Sequence, residues 1–189
     1  RDLSGTASVR RTTIVNDGTF VVTQYPGGPP NRGLELFNRG VSLTLTVAGT
    51  TFDRISNDAI VASAETGTLN LTVDGTTGDG ANVFTRINGF GVDAFEEALP
   101  GTVNLVVRGS TFDQVGAAVR FATAPGGTTV ATIAGNTISR TVSSAIVQRG
   151  LSSIGQRATV TATVASTQIT WGEIAAPRNL NEDTSFPVK

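Results

Sequence analysis

Two aspartates occupy the same place in a repeated phrase of this sequence. Asp53 lies in TFDRI and Asp113 in TFDQV, and Asp79 occurs one step later in the copy between them. Two carboxyl groups that face one cleft, about 5–9.5 Å apart, can hydrolyse a glycosidic bond, and a column of carboxylates can bind calcium. An Asp after a corner also caps a turn by accepting a backbone N–H. We favour turn capping, and we expect no catalytic residue and no metal ligand here.

The residue types that the chain lacks exclude most other chemistry. The sequence contains no His and no Cys, and its only Lys is the terminal Lys189. It therefore cannot build a Ser-His-Asp triad, a Cys-His pair, a zinc site with His ligands or a lysine Schiff base. Only carboxylate chemistry remains open, so we expect neither an enzyme nor a bound cofactor.

The charge and the composition argue against two kinds of partner. The net charge is −1 and charged residues make up 15% of the 189 residues, so nothing favours a nucleic acid or an anionic membrane. No apolar run approaches the ~18 residues of a membrane helix, and we expect no membrane insertion. Because the sequence begins at Arg1 and contains no Met, we expect a processed product or part of a longer protein.

A repeated strand-and-corner phrase organises the chain. Copies such as LTLTVAGTTF at 43–52 and VNLVVRGSTF at 103–112 alternate apolar with polar residues, then have a small residue and a turn-prone pair, and close on an apolar side chain. Periods of 20–50 residues mark repeat architectures, and the alternation within each copy indicates strands. The recurring small residues, separated by 26, 34, 26 and 31 positions, are Gly49, Gly75, Gly109, Gly135 and Ser166.

Stacked copies would bury columns of identical aliphatic positions. A second apolar phrase, such as AIVASA at 59–64, follows the corner, so each coil has two or three strands. We predict an all-β parallel solenoid of about six coils over residues 1–170, followed by a non-repeat tail at 171–189. The expected inward residues of the three strongest copies are Leu43, Leu45, Val47, Leu69, Leu71, Val73, Val103, Leu105 and Val107.

The corner pattern V-x-G-[TSN]-T-[FI] resembles the coils of right-handed parallel β-helix proteins of the pectin-lyase-like superfamily. Within that group, the likeness is greatest to the repeat regions of large secreted bacterial surface proteins, and it covers roughly residues 12–170. One departure is that only GNTI at 135–138 keeps the corner Asn, where the other copies have Thr or Ser. The resemblance implies a right-handed coil and an extracellular or cell-surface location.

The 34-residue coil is the candidate contact region. It gains eight residues within 78–102, and the segment VDAFEEALP predicts a short helical turn with Asp93 as its N-cap. Insertions on a solenoid often form its binding face, so Phe90, Asp93, Glu96 and Glu97 are candidate ligand or partner contacts. The alternative is a loop that covers one flank of the solenoid.

Two further segments lie outside the strand pattern. Tyr25, in the Pro- and Gly-rich stretch 24–33, could stack on a sugar, although a stiff surface loop is the simpler interpretation. Trp171 and Ile174 begin the tail and could cap the last coil or contact a neighbouring subunit. Asp74 and Arg108 share an outward position on consecutive coils and are predicted to pair across them.

The sequence therefore predicts a structural or adhesive module of a bacterial surface protein. Expected partners are neighbouring subunits or other surface proteins, and glycans, with end-to-end or homo-oligomeric assembly. The alternative is a carbohydrate-active module, meaning a polysaccharide lyase, a hydrolase or a tailspike-like glycan binder, because enzymes of these classes share the architecture that the resemblance implies.

Overall fold

The chain folds entirely into β-strands and turns in the part that the structure, a computed structural model, describes. The described residues are 5–16, 31–96, 101–150, 152–153, 156–157, 159–165, 167–170 and 184–185. The strands are β1 (Gly5–Arg10), β2 (Thr13–Val15), β3 (Leu34–Asn38), β4 (Ser42–Ala48), β5 (Thr51–Ile55), β6 (Ile60–Ala64), β7 (Thr68–Asp74), β8 (Val83–Glu96), β9 (Thr102–Arg108), β10 (Thr111–Thr123), β11 (Thr128–Ala134), β12 (Thr137–Thr141), β13 (Ile146–Gly150), β14 (Ser152–Ser153), β15 (Gln156–Arg157), β16 (Thr159–Ala165), β17 (Gln168–Thr170) and β18 (Thr184–Ser185).

These strands wind into a parallel β-solenoid with three faces. Face 1 is a six-stranded parallel sheet in the order β1-β4-β7-β9-β11-β16. Face 2 contains β2, β5, β12, β17 and the first halves of β8 and β10. Face 3 contains β3, β6, β13 and the second halves of β8 and β10, so these two long strands run across both faces. The predicted all-β parallel solenoid is confirmed.

The solenoid has about four turns rather than the six predicted. Face 1 has six strands, but the first and the last of them belong to turns that the described residues complete only in part. Within the tail predicted at 171–189, β18 pairs antiparallel with β13. None of the described elements is a helix long and apolar enough to span a membrane.

The predicted inward columns of face 1 form the core. Leu45 pairs in register with Leu71, and Leu71 with Leu105, so like side chains stack from turn to turn. All nine residues expected to point inward are at most 4% exposed. Parallel strands lie about 4.8 Å apart, which leaves no room for water between these layers. The aliphatic columns therefore run along the axis of the solenoid.

Face 2 adds an aromatic column to the same core. The rings of Phe52 and Phe84 stack with centroids 4.9 Å apart, and those of Phe84 and Phe112 with centroids 4.5 Å apart. All three rings are fully buried. In register, Ile14 precedes this column and Ile138 follows it.

A left-handed residue in face 2 explains why apolar residues recur there at i and i+3. In β5, Phe52 and Ile55 are both buried although a regular strand would turn them to opposite sides. Arg54 between them has φ 54 and is absent from the ladder, as Arg86 is at φ 55 in the next turn. The extra residue bulges outward, so Asp53 and Arg54 both point away from the core.

The corner between faces 1 and 2 contains a buried amide in two turns. The side chain of Asn136 accepts a hydrogen bond from the N–H of Ser110, 3.0 Å away, and donates one to the carbonyl of Val107, 2.9 Å away. Asn82 does the same for the N–H of Thr50 and the carbonyl of Val47. Each amide therefore ties its turn to the previous one through a backbone N–H and a backbone carbonyl.

The eight extra residues of the third turn lie at two corners. Val83 follows Asp74 by nine positions, whereas its register equivalent Thr51 follows Ala48 by three. Six of the extra residues therefore lengthen the corner that ends at Asn82. The other two lie between Glu96 and Thr102, which are six positions apart against four in the turn before.

The helical turn predicted around Asp93 is wrong. Residues Val92–Glu96 form the second half of β8, which pairs with β6 on one side and with β10 on the other. Asp93 caps no helix because it sits within a strand and is 1% exposed. The ladder on both sides of the strand outweighs the local helical pattern.

Placing a carboxylate in the aliphatic column should abolish the fold. We expect Val73→Asp or Val107→Asp to cost about 4 kcal/mol or more, because each leaves an unpaired charge where the wild-type side chain is fully buried. Thr72→Asp is the matched control, since Thr72 lies next to Val73 on the outward side. Urea denaturation followed by circular dichroism checks the difference, and a Val73→Asp protein that unfolds with wild-type parameters contradicts the assigned orientation.

The corner amide should contribute more to the free energy of unfolding than an amide on the outer surface. Asn136→Ala removes the acceptor of the buried Ser110 N–H and the hydrogen bond to the Val107 carbonyl, and we expect a loss of about 2–3 kcal/mol. Asn104→Ala, on the outward side of face 1, should cost less than about 1 kcal/mol. Equal losses in thermal or urea unfolding for the two variants would show that the amide has no special role.

Candidate functional site

The aspartates considered for carboxylate chemistry on face 2 lie two turns apart. Asp53 and Asp113 both pair in register with Thr85, which separates them. Their backbones are therefore about 10 Å apart, twice the spacing of neighbouring strands. Asp79, expected one step along the same column, lies instead in the long corner before Asn82. The three acids thus form no continuous column.

An arginine from the following turn binds each of these face 2 aspartates. The guanidinium of Arg86 donates to both carboxylate oxygens of Asp53, at 2.7 and 2.5 Å. Arg140 binds Asp113 in the same two-pronged manner, and the hydroxyl of Ser139 donates to that carboxylate from 2.7 Å. The Arg140 hydrogen bond lowers the pKa of Asp113. Both acids are thus committed to ion pairs across turns rather than to turn capping alone.

The arginines that do this occupy the left-handed position of the bulge. The residues at that position in successive turns are Arg54, Arg86, Gln114 and Arg140, with φ between 49 and 56. A non-glycine residue costs roughly 1 kcal/mol or more in this conformation. The bulge brings an outward Arg beside the outward Asp of the previous turn. The sequence signal that could have identified it is the spacing of apolar residues by three, as in F-D-R-I.

Two further acids form ion pairs between turns near the corner of faces 1 and 2. Arg10 and Arg11 bind Asp79 at 2.5 and 2.7 Å, and the Arg10 hydrogen bond lowers its pKa. The predicted pair of Asp74 and Arg108 is confirmed at 2.6 Å. Asp74 is 4% exposed, and the Arg108 hydrogen bond holds its pKa at about 2.

Two acids with a raised pKa lie at the start of face 3. Arg120 forms a two-pronged ion pair with Asp93 of the previous turn, with Nε 2.7 Å from one carboxylate oxygen. Its guanidinium also covers the ring of Phe90, 4.3 Å from the centroid. Burial raises the pKa of Asp93 from 3.8 to about 6, against the lowering effect of Arg120.

A second buried acid stands beside this pair in register. Asp58 precedes β6 and aligns with Phe90 of the following turn. Its carboxylate accepts a hydrogen bond from the N–H of Phe90 at 2.8 Å. Burial raises the pKa of Asp58, and its charge also raises that of Asp93. Shifted carboxyl groups in one cluster are a common mark of a functional site, but Asp93 is only 1% exposed, so a substrate in solution does not reach its carboxylate.

The other predicted contact residues are only partly placed. Phe90 is half-buried beneath Arg120, and Glu96 ends β8. The side chain of Glu96, together with Tyr25, Glu97, Trp171 and Ile174, lies outside the described residues. Phe90 and Asp93 therefore meet in one cluster, although that cluster is closed by Arg120.

A pocket of about 400 Å³ opens near the first turn. Its lining includes Ile14, Asn16, Arg32, Glu35 and Ile55. The one acid and the one base among these, Arg32 and Glu35, are bound to each other. In the described part of the chain, no three His, Cys, Asp or Glu residues are grouped so as to hold a metal ion. The described residues that line the pocket thus offer no free pair of carboxylates.

Comparisons with known proteins add no relative to this description. No family model, no curated protein and no solved structure matches the chain.

The buried acid of face 3 should make stability depend on pH in an unusual direction. Since the folded pKa of Asp93 lies above the unfolded value of 3.8, its contribution is greatest when it is protonated and falls as the pH rises from about 4 through about 6. Acids with lowered pKa, such as Asp74, act oppositely: their contribution is present above the unfolded value of 3.8 and is lost as the pH falls towards about 2.

Urea unfolding at several pH values separates the two effects. Asp93→Asn should reduce the decline between pH 4 and 6, to which Asp58 also contributes, whereas Asp74→Asn should leave that decline and remove part of the loss at acid pH. An unchanged pH profile for Asp93→Asn would contradict the raised pKa.

Proposed function

We propose that this chain is a structural module of a surface-exposed bacterial protein, which holds contact surfaces on a rigid solenoid and catalyses no reaction of its own. The observation that carries this proposal is the use of its acids. Asp53, Asp74, Asp79, Asp93 and Asp113 each bind an arginine from another turn. Carboxylates held in this way stabilise the stacking of turns and are unavailable as a general acid and a nucleophile.

The outer surface of face 1 supports a role in contact. Its outward positions along the strands are mostly Thr and Asn, and charge is confined to one margin, where Asp74 pairs with Arg108. Asn104 donates to Asn70 at 2.8 Å, and Asn70 donates to Thr44 at 3.3 Å, which fixes a row of polar groups along the axis. Such a flat, uncharged surface suits hydroxyl-rich ligands or another protein surface.

A carbohydrate-active module is the second candidate. The cluster of Asp58, Asp93 and Arg120 favours it, because its raised carboxyl pKa values and its adjacent arginine match what acid catalysis needs. The burial of Asp93 and the ion pair that closes the cluster weigh against it. Extracellular location and glycan contact are common to both candidates.

An assay for glycan cleavage decides between the two. The purified chain is incubated with neutral and polyanionic polysaccharides, and reducing ends and unsaturated products are measured together with retention on the immobilised glycans. We expect no products from the wild type or from Asp53→Ala and Asp113→Ala. Cleavage by the wild type that is lost in either variant, or in Asp93→Asn at unchanged thermal stability, would overturn the structural proposal.

A further inference from the structure

Among the described residues, the core column of face 1 begins in β1 and ends in β16, the outer strands of its sheet. In register, one inward column consists of Val9, Val47, Val73, Val107, Ile133 and Val164. Its four middle members are fully buried, whereas Val9 and Val164 are only partly buried. The first strand, β1, is exposed from Gly5 to Ser8. Within the described part of the chain, no strand pairs with the outer edge of β1 or of β16.

The residues of the two end strands themselves include none of those that usually prevent edge pairing. Natural edge strands are blunted by Pro, Lys, bulges or inward charges. In β1 the sequence is GTASVR and in β16 it is TVTATVA, without Pro, Lys or an acid. Arg10 is the one charged residue of the two strands, and it is bound to Asp79. Both edges are therefore suited to accept another parallel strand.

We propose that copies of this chain stack head to tail, with β1 of one copy pairing in parallel with β16 of the next. Continuing the register of face 1 places Ala7 on the partner's Ala162 and Val9 on the partner's Val164. The same register places Ile14 of face 2 on the partner's Ile169.

The pairs at this junction match steps that already exist inside the chain. Within the solenoid, Ala131 pairs with Ala162 and Ile133 with Val164. The junction would pair Ala with Ala and Val with Val, as Val47 already pairs with Val73. Opposite Arg10 stands the partner's Ala165, so no like charges meet. A second copy thus continues both the aliphatic column and the ladder without a change of spacing.

The symmetry of the contact determines the type of assembly that the copies build. β1 and β16 are different surfaces, so the interface is heterologous and leaves one of each edge free after every addition. Copies therefore build an open filament. This inference rests on the proposed structural function and names its partner, a second copy of the chain.

One substitution at the junction tests the proposal against a matched control. Ala7 points inward but is exposed in the single chain, so Ala7→Lys puts a charge into the junction at little cost to the monomer. Thr6→Lys makes the same charge change on the adjacent outward position. We expect the average mass of the wild type and of Thr6→Lys to rise with concentration in sedimentation velocity, with rods in electron micrographs. Ala7→Lys should stay monomeric with a circular dichroism spectrum like that of the wild type.

Ala7→Lys also tests the head-to-tail direction of stacking. Ala7→Lys keeps its β16 edge, so it can add to the β1 end of a wild-type filament but then presents a blocked end. A small fraction of Ala7→Lys should therefore shorten wild-type rods, and Thr6→Lys should not. Wild-type protein that is monomeric at its highest soluble concentration, or equal behaviour of the two variants, would refute stacking.

Engineered cysteines identify the pairing directly, because the natural chain has none. Ser8 and the partner's Thr163 would be register neighbours about 4.8 Å apart, a Cα separation within the range of a disulfide. Mixing Ser8→Cys with Thr163→Cys under oxidation should give mainly the mixed dimer. Ser8→Cys homodimers would indicate head-to-head association and would overturn the proposal.

The two proposals fail separately. Monomeric protein that cleaves no glycan removes the stacking and leaves the structural function intact. Glycan cleavage removes the structural function whatever the state of assembly.

Discussion

The requirement that every turn repeat in register at a fixed spacing governs this molecule. Parallel strands about 4.8 Å apart place each side chain against its equivalent in the next turn. Leu stacks on Leu, Phe stacks on Phe, and an acid on one turn meets an arginine on the next. The core and the ion pairs between turns are therefore products of one geometric condition, and neither exists in an isolated turn.

The charged residues on the outside of face 2 also depend on the register between turns. An exposed ion pair contributes little to the free energy of unfolding, about 0–1 kcal/mol. The face 2 arginines nevertheless give each outward carboxylate a partner, so that no acid in the described part of this face is left beside another turn without a counter-charge. Their left-handed backbone has a cost, which recurs at Arg54, Arg86, Gln114 and Arg140. The bulge turns two consecutive residues outward while the apolar residues on either side stay inside. The same local distortion thus serves both the packing and the electrostatics.

Much of face 1 could be predicted from the sequence because its signal is local. Alternating Leu, Val and Thr residues indicate which side of the strand is buried, and the copies align by their glycines. Face 2 obeys a different rule, since the left-handed bulge replaces a period of two by a spacing of three. The sequence pattern does not identify Asn82 as a corner amide, because six extra residues separate it from Gly75. The pairing of Asp93 with Arg120 depends on register across 27 positions, which no local pattern reveals.

The lengthened corner of the third turn shows how the fold tolerates insertion. The chain leaves the axis at Gly75, where a side chain would collide with the backbone of Gly109, and it returns at Asn82. Between these fixed points the path can grow while the columns above and below keep their alignment. A corner of this kind can accept an inserted loop, and with it a new binding specificity, while the residues of the core stay the same.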